Sequence, residues 1–181
     1  AAAAGALQAG GDLEETAARL IDFRPSPMRM EPVEVGGVRF VNDAYNANPA
    51  STLLALDQFD VLEAEGRKIV VLGEMRELGE HAARLHARVG ERVGRMRVDL
   101  FVAVGREMAA AAEAARMAGQ SVEVVMTADE AAEVLSARLR PGDLVLLKGS
   151  RAVGLERVLE RLRAGHASPR EAACSPPSSR P

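Results

Sequence analysis

Polar side chains crowd the segment VNDAYNANPAS, directly after a strand-like run. The carboxylate of Asp43 can accept hydrogen bonds from ribose hydroxyls, and the amides of Asn46 and Asn48 can read a base or a peptide group. Asn48 followed by Pro49 is also typical of a helix start, where Asn is a favoured N-cap and Pro a favoured first residue. That interpretation explains this pair, but it does not explain why Asp43, Tyr45 and Asn46 share the same loop.

A second candidate segment is LVLLKGSRAVG. Lys148 ends an apolar run, Ser150 can cap the helix that follows, and Arg151 stands beside that helix start. Two cations near free backbone N–H groups at a helix N-terminus are suited to phosphate or carboxylate. The patterns GxxxxGK[ST] and GxGxxG occur nowhere in the chain, so it has neither a self-contained phosphate loop nor a dinucleotide fingerprint.

A third segment, VVLGEMRELGE, places charges of both signs after another apolar run, beginning with Glu74, and His86 follows in the next helical segment. A solvated surface loop and the rim of a binding crevice both remain open interpretations. A single histidine is more often a packed bystander than a catalyst. Arg29, in PMRME, lies in a proline-containing linker from which it can swing over the same crevice or remain an ordinary surface residue.

The elements that must position these residues alternate between two patterns. Short, nearly continuous apolar runs predict buried strands at 67–73, 98–105, 121–126 and 143–149. Helical periodicity predicts helices at 49–65, 81–96, 106–118, 128–139 and 153–163. Such alternation predicts an α/β fold, a Rossmann-like and mostly parallel sheet with helices on both faces. The ligand crevice of such a sheet lies beyond the carboxyl ends of its strands, where all three polar segments fall.

The pair Gly36-Gly37 separates two further strand-like runs, MEPVEV and VRFVND, and predicts an N-terminal β-hairpin. We expect one domain over residues 25–163. Residues 1–24 are predicted to be helical, with Asp12 as N-cap, and to be an appendage or the end of a preceding domain. Residues 164–181 are rich in Ser, Pro and Ala and are predicted to form a disordered tail.

Composition narrows the class of function. The 181 residues are 48% apolar and 27% charged, as expected of a soluble globular protein. A net charge of −3 and 3% aromatic residues argue against nucleic-acid binding. The single cysteine excludes an intramolecular disulfide, and no apolar run is long enough to span a membrane. We therefore expect a cytoplasmic protein that acts on small molecules.

Four motifs, in order, resemble the C-terminal domain of the Mur ligases over about residues 1–163. They are R-M-E at 29–31, D-A-Y-N-A-N-P-A-S at 43–51, V-L-G-E-M-R-E-L-G at 71–79 with L-H at 85–86, and L-L-K-G-S-R at 146–151. Within the family they are most similar to the branch that joins D-Ala-D-Ala to UDP-N-acetylmuramoyl-tripeptide. Asn42 and Ala44 depart from residues common in the family.

The resemblance implies a ligase of peptidoglycan precursor synthesis that uses ATP and Mg²⁺ to activate a carboxylate as an acyl phosphate. It implies that Arg29 approaches the phosphates of ATP, Asp43 the ribose, and Asn46 and Asn48 the nucleotide side of the cleft. It further implies that the dipeptide side is shaped by Glu74, His86, Lys148, Ser150 and Arg151. No catalytic residue and no metal ligand is expected among these 181 residues.

The resemblance also implies that the central ATPase domain and the UDP-sugar domain lie outside this sequence. The chain would then be a fragment, inactive alone and monomeric, with Mg²⁺ held mainly by the central domain. Two alternatives remain open. One is an inactive adaptor or nucleotide-sensing α/β domain. The other is a ligase similar to folylpolyglutamate synthetase, against which the combination of Y-N-A-N-P and K-G-S-R speaks.

Overall fold

The computed structural model describes residues 26–166, together with Gly10, Asp12, Glu15 and Ala18. The described strands are β1 (Glu31–Val35), β2 (Val38–Asp43), β3 (Lys68–Gly73), β4 (Leu100–Val104), β5 (Val122–Val125) and β6 (Leu144–Lys148). The described helices are α1 (Pro49–Asp60), α2 (Ala82–Gly94), α3 (Ala109–Met117), α4 (Ala128–Arg138) and α5 (Glu156–His166). Three short 3₁₀ turns precede α2, α3 and α5, at Gly79–His81, Arg106–Met108 and Arg151–Val153.

The strands form one sheet in the order β1-β2-β6-β3-β4-β5. Only β1 is antiparallel to its neighbour, and the other four pairings are parallel. The predicted mostly parallel sheet and the predicted hairpin are therefore both confirmed. The hairpin turns at Gly36 and Gly37, whose φ angles are +59° and +77°, in the left-handed region that glycine enters without a steric penalty.

Helices cover the sheet on both faces, as predicted. Helices α1, α2 and α3 pack on one face, where Val70 of β3 and Phe101 of β4 are fully buried. Helices α4 and α5 pack on the other face, where Val71 of β3 and Val102 of β4 are fully buried. Successive strand residues point to opposite faces, which explains why both strands are apolar over runs of consecutive residues.

The position of β6 decides which loops meet. Because β6 lies between β2 and β3, the carboxyl ends of these three parallel strands are neighbours. In the β2–β6 pairing Asp43 lies opposite Lys148, and in the β6–β3 pairing Lys148 lies opposite Leu72. All three polar segments of the sequence thus leave the same edge of the sheet side by side.

Several helix ends differ from the prediction, and two of them have a clear local cause. Helix α1 stops at Asp60 and not at Glu65, because Nζ of Lys68 donates to the last carbonyls, those of Phe59 at 3.4 Å and Asp60 at 2.7 Å. The last helix begins only at Glu156, because Gly154 takes a φ of +68° and ends the preceding 3₁₀ turn. No helix of the described residues is long and apolar enough to cross a lipid bilayer.

The predicted terminal segments lie largely outside the described residues. At the N-terminus Oδ1 of Asp12 accepts a hydrogen bond from the Glu15 N–H at 2.9 Å, which is the bond expected of the predicted N-cap. At the C-terminus helix α5 continues to His166, three residues into the predicted tail. The remainder of that tail lies outside the described residues.

Candidate functional site

A cleft of about 300 Å³ opens at the carboxyl edge of β2 and β6. It is lined by Arg29, Met30, Asp43, Tyr45, Asn46, Asn48, Ser51 and Lys148. The four residues predicted for the nucleotide side therefore line one cleft. Lys148, predicted for the dipeptide side, lies with them. A larger cleft of about 850 Å³ lies at the opposite edge, beside the start of β3, and contains none of the predicted residues.

An ion pair forms the floor of this cleft. Nζ of Lys148 lies 2.6 Å from Oδ2 of Asp43 and 2.9 Å from the carbonyl oxygen of Asn46. The Lys148 side chain is only 3% exposed and that of Asp43 is 15% exposed. A cation removed from water in this way needs strong polar partners, and the carboxylate and the carbonyl provide them.

Arg29 forms the rim of the cleft. Its guanidinium carbon lies 4.2 Å from the centre of the Tyr45 ring, and no carboxylate of residues 26–166 pairs with it. The neighbouring Met28 and Met30 have φ angles of +58° and +50°, an unfavourable conformation for residues with a side chain. Two bonds hold this linker in place, from the Tyr45 N–H to the Met28 carbonyl and from the Met30 N–H to Asp43 Oδ1.

Sequence reasoning gave Tyr45 no role, although the chain contains no other tyrosine. The structure shows its ring 45% exposed at the cleft, where it supports the arginine. The only signal in the sequence was an aromatic residue in a polar loop of a chain that is poor in aromatics. Asn46 is exposed, and its Oδ1 accepts from the neighbouring Ala47 N–H at 2.8 Å.

Asn48 serves the helix as the sequence predicted. Its Oδ1 accepts from the Ser51 N–H at 2.8 Å, and the Ser51 hydroxyl oxygen accepts from the Asn48 N–H at 3.2 Å.

We expect Asn48→Ala to lower the free energy of unfolding by about 1 kcal/mol, measured by urea denaturation. Asn48→Ser keeps an acceptor at the N-cap and is expected to stay close to the wild type. An equal loss in both variants would contradict a capping role.

A second polar network lies beside the cleft, around Glu74. This residue is 6% exposed. Its Oε1 accepts from the Glu107 N–H at 2.9 Å and its Oε2 lies 3.0 Å from the Arg76 guanidinium. Gly105 makes room for it, because a Cβ there would lie 2.4 Å from Glu74 Cγ. Glu74 thus links the loops after β3 and β4 and meets solvent through Arg76, which is 55% exposed.

Ser150 connects the second network to the cleft. The prediction that it caps the last helix is wrong, since it makes no capping bond to the 3₁₀ turn that follows. Its hydroxyl oxygen instead accepts from the Arg76 N–H at 2.9 Å, and the hydroxyl donates to the Ala47 carbonyl at 3.5 Å. A residue of the β6 loop therefore joins the loops after β2 and β3.

Arg151 points away from this junction. Its guanidinium contacts Glu156 Oε1 at 3.3 Å and the Met28 sulfur at 3.0 Å. The helix N-terminus expected beside it is also absent, since a 3₁₀ turn of three residues intervenes before α5. The geometry therefore offers one exposed arginine here, and the anion site expected from a cation pair at a helix end does not form.

His86 lies behind the loop after β3 and is fully buried. Its Nε2 accepts from the Met75 N–H at 3.0 Å, and its Nδ1 lies 2.8 Å from the Ala82 carbonyl. This pattern places the ring proton on Nδ1. Both ring nitrogens are occupied by the backbone, so any influence of His86 on a ligand passes through the loop that it holds.

Replacing His86 by Ala is expected to lower the free energy of unfolding by about 2 kcal/mol, because the Met75 N–H loses its partner in a buried place. Amide hydrogen exchange should show faster exchange at Met75. His81→Ala is the matched control, since the His81 side chain is 57% exposed and its loss should change stability by less than about 0.5 kcal/mol. Unchanged protection of Met75 in His86→Ala would contradict this role.

Comparison with known proteins identifies the class. The family model described as Mur ligase, glutamate ligase domain, matches residues 28–151, a span that contains the cleft and all three loops. The chain belongs to the Mur ligase family. It is 39% identical over 185 aligned residues to the UDP-N-acetylmuramoyl-tripeptide--D-alanyl-D-alanine ligase of Mycobacterium tuberculosis H37Rv, a match that covers 90% of this chain and 36% of the relative.

Other relatives agree. The ligase of the same name from Bacillus subtilis is 30% identical over 82% of this chain and 33% of its own length. The crystal structure of MurF ligase from Thermotoga maritima in complex with ADP superposes with a TM-score of 0.68 at 28% identity, covering 89% of this chain and 36% of that one. MurF from Acinetobacter baumannii gives a TM-score of 0.75, also at 28% identity, over 88% of this chain and 35% of that one. The chain spans about a third of the length of these relatives.

Proposed function

We propose that this chain is the C-terminal domain of an ATP-dependent ligase that joins D-Ala-D-Ala to UDP-N-acetylmuramoyl-tripeptide in peptidoglycan precursor synthesis. The observation that carries the proposal is the single cleft in which Arg29, Asp43 and Lys148 meet. The name shared by the relatives and the ADP complex of the Thermotoga maritima ligase support it. On this proposal the domain closes over ATP, which is held mainly by the rest of a cytoplasmic, monomeric enzyme.

The nucleotide side of the cleft follows from its charges. Arg29 has an exposed guanidinium without an anionic partner among residues 26–166, and it would meet the phosphates. Asp43 keeps lone pairs on both carboxylate oxygens for the ribose hydroxyls. Asn46 and Asn48 line the same cleft and would complete the nucleotide contacts through their amide groups.

The dipeptide side would lie around the second network. D-Ala-D-Ala carries an ammonium group and a carboxylate, and the Glu74–Arg76 pair presents opposite charges within 3.0 Å of each other. Arg151, which pairs with Glu156 in the structure, would have to turn towards this network to add a second cation at the rim. Ser150 and His86 would act by holding the loops in position, since the structure engages both with the backbone.

Within the ligase, ATP converts the tripeptide carboxylate into an acyl phosphate, and the amino group of D-Ala-D-Ala attacks it. The task of this chain is to hold and orient the reactants, the main demand that such transfers place on a protein. No group of three or more His, Cys, Asp or Glu side chains converges in residues 26–166 to hold a metal ion. As the resemblance implies, we assign Mg²⁺ mainly to the remainder of the ligase, and we expect this chain alone to be inactive.

The proposal is tested by titrating the chain with Mg-ATP and, separately, with D-Ala-D-Ala, following amide NMR shifts. ATP should shift signals at 29–30 and 43–48, and the dipeptide should shift those at 73–79 and 149–151. Arg29→Ala should raise the dissociation constant for ATP, measured from these shifts, by about tenfold. Arg116→Ala, a surface change on α3, should leave it intact. The full-length ligase carrying the same variants reports the Michaelis constant for ATP.

Two results would overturn the proposal. One is a well-folded chain without ATP shifts, combined with a full-length protein whose ADP release does not respond to Arg29→Ala. The other is a full-length protein that releases no ADP when given ATP, the UDP-tripeptide and D-Ala-D-Ala. Either result would favour the adaptor or nucleotide-sensing alternative.

A further inference from the structure

Lys148 occupies an unusual place for a lysine. It is the last residue of β6 and is 3% exposed, whereas lysines rarely lose contact with water unless they are paired. Two of its three Nζ protons are engaged within the chain, by Asp43 Oδ2 and by the Asn46 carbonyl oxygen. The amine is therefore committed to the loop after β2, on the nucleotide side of the cleft.

The Asp43 carboxylate is held in place by its contact with Lys148. Its Oδ1 accepts from the Met30 N–H at 3.1 Å, and its Oδ2 accepts from Lys148 at 2.6 Å. The carboxylate thus ties three segments together: the linker that carries Arg29, the end of β2 and the end of β6. Each carboxylate oxygen of Asp43 uses one lone pair for its donor. The two donors therefore fix the direction in which the remaining lone pairs point.

We propose that Lys148 is a positioning residue for the nucleotide, acting through Asp43, and that it does not bind the dipeptide. This inference rests on the proposed function. Lys148 neutralises the carboxylate at the cleft floor and fixes its rotation, while its second bond holds the Asn46 carbonyl in the same loop. Without the amine, Asp43 would rotate towards water and release the Met30 N–H and the adjoining Arg29.

The test compares Lys148→Met and Asp43→Asn, singly and together, in the full-length ligase. Lys148→Met should raise the Michaelis constant for ATP by about 10-fold to 100-fold, the loss of a hydrogen bond to a charged group. The Michaelis constant for D-Ala-D-Ala should stay within about twofold of the wild-type value. In the Asp43→Asn background, Lys148→Met should raise the Michaelis constant for ATP much less, because the effects of residues that act through one another are not additive.

Lys68→Met is the matched control. Lys68 also donates to two backbone carbonyls from the edge of the sheet, but at the opposite edge and without a carboxylate partner in the cleft. Lys68→Met should change the free energy of unfolding and leave the Michaelis constant for ATP unaltered. If Lys148→Met alone does not fold, the double variant replaces the buried ion pair by a neutral pair. Its comparison with Asp43→Asn alone then gives the effect of the lysine in the absence of the carboxylate, which should be small if the lysine acts through Asp43.

A second readout comes from the 181-residue chain itself without nucleotide. Amide exchange at Met30 should accelerate in Lys148→Met, because its acceptor is no longer held in place. Three results would overturn the inference. The first is that Lys148→Met raises only the Michaelis constant for D-Ala-D-Ala, and the second is that the effects of Lys148→Met and Asp43→Asn on the Michaelis constant for ATP are additive. The third is that amide exchange at Met30 is unchanged in Lys148→Met. A wild-type enzyme that does not use ATP would instead refute the proposed function, so the two failures are distinguishable.

Discussion

Replacing Asp143 by Asn should lower the free energy of unfolding at pH 7 by about 3 kcal/mol, because it breaks a buried ion pair. Asp143 is 1% exposed and lies just before β6. Its Oδ2 accepts from the Arg67 guanidinium at 2.7 Å and from the Arg140 N–H at 2.9 Å, and its Oδ1 accepts from the Arg67 N–H at 3.0 Å. Arg67 remains 33% exposed, which keeps the cost at the lower end of the usual range.

The effect of Asp143 depends on pH in a defined direction. Burial raises the pKa of its carboxyl group, but the hydrogen bonds from Arg67 and Arg140 and the charge of Arg67 outweigh burial and hold the pKa below its ordinary value of 3.8. Because the folded pKa is depressed, the stabilisation is complete above the ordinary value and is lost as the pH falls towards the folded pKa. The difference between wild type and Asp143→Asn should therefore narrow below about pH 4.

Urea denaturation followed by circular dichroism between pH 7 and pH 3 measures both effects. The matched control is Asp129→Asn. Asp129 also accepts bonds from two arginines, Arg157 and Arg161, but its side chain is 25% exposed and theirs are more than half exposed. A surface cluster of this kind should contribute about 1 kcal/mol or less. Equal losses in the two variants, or a difference that widens in acid, would refute the role given to Asp143.

Gly90 is the second position with a large expected effect. Helices α2 and α3 approach so closely there that a Cβ on Gly90 would lie 2.1 Å from the carbonyl oxygen of Ala111 and 2.6 Å from its Cα. Backbone atoms cannot turn aside as the end of a side chain can. Gly90→Val is therefore expected to lower the free energy of unfolding by more than about 3 kcal/mol, at the upper end of overpacking effects.

Gly165→Val is the matched control for this prediction. Gly165 lies in the last turn of α5, and no atom of residues 26–166 stands within 4 Å of the Cβ that it lacks. The same substitution there should change the free energy of unfolding by less than about 0.5 kcal/mol. Thermal and urea unfolding of the two variants would decide the matter. A Gly90→Val protein as stable as the wild type would show that α2 and α3 can separate at little cost.

Most of the fold could be predicted from particular residues. The runs IVVL in β3 and LVLL in β6 are apolar at every position, and such strands must be buried on both faces, which requires helices on both sides of the sheet. Gly36-Gly37 supplied the hairpin because few other residues accept two consecutive positive φ angles. The helix ends could not be predicted as well, because the end of α1 depends on Lys68, a residue beyond the helix.

The candidate site was predicted in part. The residues predicted for the nucleotide side do line one cleft, since polar residues after neighbouring parallel strands must leave the same edge of the sheet. Ser150 was assigned a cap that it does not make, because its actual donor, the Arg76 N–H, is 74 residues away in the chain. His86 showed no signal that distinguished a buried support of a loop from a residue that meets a ligand.

The sequence by itself determined the class of fold, the hairpin and the three loops that carry polar residues, since backbone preference and two-sided burial act within a few neighbouring residues. Only the tertiary structure decided which partner each polar group takes. Lys148 and Asp43 are 105 residues apart in the chain and meet because β6 pairs with β2. Local pattern determines where a strand begins and ends, whereas the order of strands in the sheet determines which charges become neighbours.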